Sequence, residues 1–236
     1  MGGLNLFFSV IFGGWILSST VLLTIMGSLA IFWLDAHYLQ LDLVVQLSQA
    51  QIWHNYLQIW RYLFWFPQRW LHLDNFHSSV QGLEHFHEVQ LLIGAVVILW
   101  FITTIILLVL LIKHQLSKVL VTQQFFLGGL LWLPLVILVC ALIDFEDLFI
   151  GFHHLLFRNN YWIFDALKDP VINMLPDTFF WHCFIVAAVI FELLTLILWW
   201  TAKRKKKKKL IPMRLARNTT LKLFLVGRLP RLEHTN

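Results

Sequence analysis

Two short segments of this 236-residue chain concentrate the side chains able to move protons. One, Phe152 to Trp162 (FHHLLFRNNYW), crowds imidazoles, amides and aromatic rings just beyond an apolar run. The other, Glu84-His85-Phe86-His87-Glu88-Val89, lies just before another apolar run. Imidazole is the side chain that exchanges a proton near neutral pH. His85 and Glu88 are three apart and share a face if the segment is helical, so the carboxylate could orient the ring and raise its pKa. His87 points elsewhere and reads as structural. His153 and His154 are adjacent, so at most one of them faces a site from one helix, with Asp144 and Asp147 one or two turns back as possible supports. Asn159 offers an amide donor to a developing oxyanion, or equally a helix C-cap.

Other chemistries find less support. The 11 histidines make a metal or haem site the rival reading, but no His-Glu-x-x-His or paired metal spacing occurs. There is no Gly-x-Ser-x-Gly elbow and no phosphate-binding glycine loop, so no serine or cysteine stands out as a nucleophile. The two cysteines, Cys140 and Cys183, lie inside or at the edge of apolar runs and form no CxxC motif.

The elements that must position these groups are membrane spans. The chain is 59% hydrophobic and 13% charged, with a mean hydropathy of +0.73, against about 45–50% and about 25% in soluble domains. Four runs are long enough to cross a bilayer: Leu6–Trp33, Leu91–Ile112, Phe125–Ile143 and Phe179–Trp200. Pro134 predicts a kink in the third. The first lacks the basic flank of a signal peptide and reads as an uncleaved span. Glu192, inside the fourth, is expected to hydrogen-bond a hydroxyl on another span.

Basic residues orient the chain. Lys113 and Lys118 between the second and third spans, and the run from Lys203 to Lys209 after the fourth, place those connections and both termini in the cytoplasm. The two long connections, acidic on balance, then face outward. The net charge of +5 describes the tail, whose lysines read as a stop-transfer anchor attracting anionic lipid and not as a nucleic-acid patch.

The expected fold is an all-α membrane protein, four transmembrane helices with a small, mostly helical extracellular cap. Residues 1–34 form the first span, 35–88 a cap segment, and 89–143 the second and third spans with a short loop. Residues 144–178 form the second cap segment, 179–202 the fourth span and 203–236 a basic tail without pattern. Within the cap, Leu47 to Phe66 reads as a helix capped by Ser48, with Ile52, Tyr56, Ile59 and Leu63 on one stripe and Pro67 ending it. Arg69 to Ser79 reads as irregular. Phe145, Phe149, Phe152 and Phe157 fall on one face of a further helix ended by Asn159-Asn160, and Asp169-Pro170 marks a turn and restart.

These residues resemble the bacterial lipoprotein intramolecular transacylases from about Leu47 to Phe180. Asn55-Tyr56 with Tyr62-Leu63, His85-Phe86 with Glu88-Val89, and Phe152-His153, Phe157, Asn159 and Trp162 match the family's motifs, as do Asp169, Ile172, Pro176 and Phe179-Phe180 after them. Gln90 stands where lysine is usual, Asn160 where aspartate is, and Ala166 where proline is common. The resemblance implies catalytic histidines at the cap–membrane boundary, here His85 and His153, with Tyr56, Phe86, Glu88, Phe152, Phe157, Asn159 and Trp162 against the substrate. It implies an acyltransferase of the bacterial plasma membrane that moves the sn-2 acyl chain of a diacylglyceryl-cysteine lipoprotein to its own α-amine. His153 would be the main base and His85 the partner acid or orienter. No cofactor, metal or nucleic acid is implied. The partners are the lipoprotein and membrane lipid. A transporter is a further alternative, against which no internal repeat is visible.

Overall fold

The computed structural model describes residues 2–65 and 68–226, with side chains through residue 207. Pro67, expected to stop the cap helix, lies outside the described residues. All regular structure among the described residues is helical: α1 (Gly2–Tyr38), α2 (Leu41–Val45), α3 (Gln49–Phe64), α4 (Val80–Ile112), α5 (Leu116–Thr122), α6 (Gln124–Leu130), α7 (Leu133–Ile143), α8 (Phe145–Leu156), a 3-10 turn (Pro170–Met174) and α9 (Asp177–Val226). Four stretches are long and apolar enough to span a bilayer: Gly2–Tyr38, Val80–Ile112, Gln124–Ile143 and Asp177–Lys207. The protein is an all-α, multi-pass membrane protein.

One expectation holds and two are corrected. The third span, Gln124–Ile143, is interrupted where Pro134 leads us to expect it: the regular helical bonding lapses at Leu131-Trp132, both still with helical dihedrals, and Pro134 sits in the first turn of α7, where its missing N–H is not needed. The basic connection after the second span carries α5. The tail, expected to lack pattern, continues α9 to Val226.

Helix α4 is 33 residues long, about 50 Å at 1.5 Å per residue, against a hydrocarbon layer of about 30 Å. Its ionisable and amide side chains, Gln81, Glu84, His85, His87, Glu88 and Gln90, all precede Leu91. The first three turns therefore stand clear of the crossing stretch, Leu91–Ile112.

Two apolar clusters hold the molecule. At one end Phe12, Ile16, Leu120, Leu127 and Ala202 join α1, α5, α6 and α9. At the other, Phe32 and Ala36 of α1 meet Ile52, Tyr56 and Ile59 of α3, Phe86 of α4, Val171 and Met174 of the 3-10 turn, and Phe179 of α9. The Phe32 and Tyr56 rings stack with centroids 3.8 Å apart. Where α1 and α9 meet, His182 Nδ1 donates to Asp35 Oδ1 and Oδ2, each at 2.9 Å, and Asp35 is only 5% exposed.

Helix α3 follows from its sequence. Ser48 and Gln51 form a reciprocal capping box, and Ile52, Asn55, Tyr56, Ile59 and Tyr62 recur on the buried face. Polar bonds then tie it down. Tyr56 donates to Ser28 Oγ (2.6 Å) and Trp60 Nε1 to the Ile25 carbonyl (2.9 Å) on α1. Asn55 exchanges amide hydrogen bonds with Asn75 of the extended stretch that follows. Gln90 Nε2 donates to the Tyr62 and Trp65 carbonyls, satisfying the end of α3.

Candidate active site

The site forms where the start of α4 meets α8 and the irregular strap, residues 157–169. Ser79 Oγ accepts from Gly82 N and caps α4. Asp169, at the far end of the strap, accepts from both Ser79 N and Ser79 Oγ at 2.7 Å. Gly82 lets this happen: a Cβ there would lie 2.3 Å from Asp169 Oδ1. The clamp sets the start of the helix that carries His85, Phe86 and Glu88.

Asp144 accepts from Asp147 N and caps α8. That occupies Asp144, and neither carboxylate bonds His153, contrary to the support expected from them. Instead His153 Nδ1 pairs with the Phe149 carbonyl at 2.8 Å. A carbonyl only accepts, so the proton is on Nδ1 and the lone pair on Nε2. The His153 ring lies against Phe149 (centroids 4.1 Å), Trp162 (4.7 Å) and Phe157 (5.8 Å).

His85 stands 6.0 Å from His153, centroid to centroid. It is wedged edge-on between Phe157 at 4.8 Å and Phe164 at 5.6 Å, and its Nδ1 is buried without a partner. Glu88 does not orient it, as its spacing led us to expect. One carboxylate oxygen of Glu88 instead accepts from Asn159 Nδ2 at 2.7 Å, and the C-cap of α8 is Phe157 rather than that amide. Asn159 Oδ1 takes Tyr161 N, and its carbonyl takes the Trp162 indole N–H. A chain of contacts thus runs from Glu88 through Asn159 and Trp162 to the His153 ring.

Burial sets the protonation of both rings. Loss of solvent pushes His85 down to about 4, with the neighbouring His153 adding to the effect. Burial also lowers His153, partly opposed by the hydrogen bond to Phe149. Both are neutral imidazoles at neutral pH.

The structure therefore brings His85, His153, Phe157, Trp162, Glu88 and Asn159 to one place. Phe86 backs it through Phe164, and Phe152 touches the His153 edge while remaining 54% exposed. Phe157 is not on the helical face predicted for it: α8 ends at Leu156, and the extended backbone of Phe157 swings its ring between the two histidines. Tyr56 lies apart, in the core with Phe32 and Phe179. Phe164 and Phe149 were missed. Phe149 had a signal, four residues before His153, whereas Phe164 lies in a strap with no periodicity. Glu192 has no side-chain hydrogen bond among the described residues, contrary to the partner expected, and its Oε2 is buried. No three His, Cys, Asp or Glu side chains converge as a metal set among the described residues. A cavity of about 670 Å³ opens elsewhere, lined by Met26, Trp60, Arg61, Trp65 and His72 among others.

The family model for the lipoprotein intramolecular transacylase Lit matches residues 6–180. The chain belongs to the Lit family. It is an acyltransferase, and the Lit match takes in both histidine segments and the clamp. No curated protein matches it. Among solved structures it is similar to the membrane-integral lipoprotein intramolecular transacylase Lit from Bacillus cereus, with TM-score 0.74 and 25% identity over 89% of this chain and all (100%) of that one. Two variants of that Lit protein, carrying a histidine-to-arginine and a histidine-to-alanine substitution, give TM-scores of 0.67 and 0.63, at 24% and 25% identity over 89% of this chain and 96% and 97% of theirs.

Proposed function

We propose that this enzyme moves the sn-2 acyl chain of a diacylglyceryl-cysteine lipoprotein to the cysteine's own α-amine, and that His153 and His85 carry the reaction. The observation that supports this best is the pairing of two buried neutral imidazoles 6.0 Å apart, one with its Nδ1 proton committed to Phe149. Amine and ester belong to one molecule, so no enzyme nucleophile is needed. The free α-amine has a pKa of about 7.7–8.0. His153 Nε2 takes a proton from it, nitrogen attacks the ester carbonyl, and the N–C bond forms. His153 then delivers the proton to the departing glyceryl oxygen as the ester C–O bond breaks. His85, kept neutral by burial, acts as a hydrogen-bonding orienter and not as an imidazolium. Phe86, Phe152, Phe157 and Trp162 hold the flexible lipid arms together, where proximity contributes roughly 7–11 kcal/mol in favourable cases. Glu88 and Asn159 complete the polar side of the site, and Tyr56 supports it from the cap.

The same reading places the protein in the bacterial plasma membrane, with both termini cytoplasmic and the site outward. Lys113, Lys118 and the Lys203–Lys207 run support this orientation. The test is mass spectrometry of a lipoprotein N-terminal peptide with and without the protein. The expected product carries one acyl chain on nitrogen and one on glycerol, and His85→Ala and His153→Ala each abolish it. Full activity in both variants would refute the assignment.

A further inference from the structure

The Glu88 carboxylate is half satisfied. One oxygen accepts from Asn159 Nδ2, while Oε2 is buried with no hydrogen-bond partner. No cation pairs with it among the described residues. Arg69 reaches Glu84 instead, at 3.9 Å. The other titratable groups of the adjoining elements are Glu84, His85 and His87 on α4, Glu146, Asp147, His153 and His154 on α8, Arg158, Tyr161, Asp165, Lys168 and Asp169 on the strap, and His54, Tyr56, Arg61 and Tyr62 on α3, and none of them bonds Glu88. A buried acceptor without a donor is costly, and in a site it marks the place of a ligand's donor. Glu88 lies three residues beyond His85 on the same face of α4, and its Asn159 partner leads through Trp162 to His153.

From this we infer that Glu88 Oε2 receives the α-ammonium of the lipidated cysteine and selects substrates by that charge. The inference rests on the proposed function and adds what it lacks, a means of telling substrate from product. Substrate arrives as R–NH3+ and donates to Glu88. One proton leaves to solvent from the Glu88-bound ammonium, the neutral amine attacks the ester carbonyl, and His153 Nε2 takes the second proton and delivers it to the departing glyceryl oxygen as the C–O bond breaks. The product nitrogen is an amide, with no positive charge and a single N–H. The reaction therefore cancels the attraction that held the substrate, and N-acylated lipoproteins are refused. A Lewis-basic pocket for a neutral amine would show no such discrimination.

The probe is a diacylglyceryl-cysteinyl peptide with an sn-2 ether, which cannot transfer its chain, compared with its N-acetyl counterpart. Both compete against the ester substrate on the full-length protein in lipid. The free-amine ether should inhibit about tenfold or more better than the acetylated one, and its inhibition should weaken as pH rises through about 8, where the ammonium is lost. Glu88→Gln keeps an oxygen for Asn159 but removes the charge. It should bring the two probes within about threefold of each other, raise KM, and move the acid limb of kcat to lower pH, because the bound amine loses its anionic neighbour. Equal inhibition by both probes in the unmodified enzyme, flat between pH 7 and 9, would overturn the inference whether or not the variant folds. So would an unchanged preference in a folded Glu88→Gln. If the unmodified enzyme converts no ester substrate, the proposed function has failed and the Glu88 assignment goes with it. Conversion without amine preference sinks the Glu88 assignment alone.

Discussion

Asp169 holds Ser79 twice, through its backbone N–H and its hydroxyl, at 2.7 Å each. Ninety residues of chain separate the two, yet this contact fixes both the strap and the first turn of the helix that bears His85. Asp169→Ala leaves a part-buried N–H and hydroxyl without their acceptor, a loss of about 1–3 kcal/mol. Gly82→Ala drives a methyl into the same carboxylate. Each should lower the melting temperature in detergent by several degrees and reduce transacylation. The double variant should lose less than the sum, because both break one contact. Additive losses would separate Gly82 from the clamp.

Stability should fall on the acid side. His85 in the folded protein titrates near 4, against about 6.5 unfolded. Between those values the unfolded chain binds a proton that the folded chain refuses, so stability is level above pH 6.5 and declines as pH falls towards 4. The loss is of order 3 kcal/mol at 1.36 kcal/mol per unit. His153, shifted the same way, adds to it. Melting curves at pH 7.5 and pH 5 for the unmodified protein and His85→Gln should show the variant losing less on acidification. Identical losses would remove His85 as the cause.

Trp162 connects the polar side of the site to His153. Its ring stacks on His153 with centroids 4.7 Å apart and planes inclined by 30°, and its indole N–H is held by the Asn159 carbonyl. A ring contact of this kind contributes about 0.5–1.5 kcal/mol. Trp162→Phe, which keeps a ring and loses the N–H, should lower kcat by about twofold to tenfold. Trp162→Ala should lower it further with a smaller effect on KM. A rise in KM alone would make Trp162 a wall for the lipid and not a support for His153.

What the sequence made legible follows the range of the interactions. The capping box of Ser48 and Gln51 and the stripe of α3 are local, and the helix appears as read from them. Four spans follow from run length alone. The interruption at Leu131-Trp132 is announced by Pro134, which removes a helical hydrogen bond just there. The imidazoles could be singled out by type and motif, but their surroundings could not. Glu88 reaches Asn159 across 71 residues, so its short spacing to His85 was the wrong guide. Asp144 looked like a support for His153 because both are polar and nearby, yet its carboxylate serves its own helix terminus. Phe157 was assigned a helical face because nothing local announces that α8 stops one residue earlier. Gln90 departs from the usual lysine and still reaches two carbonyls at the end of α3, a role visible only once the helices are side by side.

Only 8% of His85 and 9% of His153 meets solvent. A general base beside a bound ester would ordinarily recruit a water molecule as well as an amine, and free fatty acid would leak from the reaction. Sealed among Phe149, Phe157, Phe164 and Trp162, these rings have little water to recruit. In the proposed reaction the aromatic wall thus sets the fate of the acyl group: it is passed to nitrogen, and hydrolysis is starved.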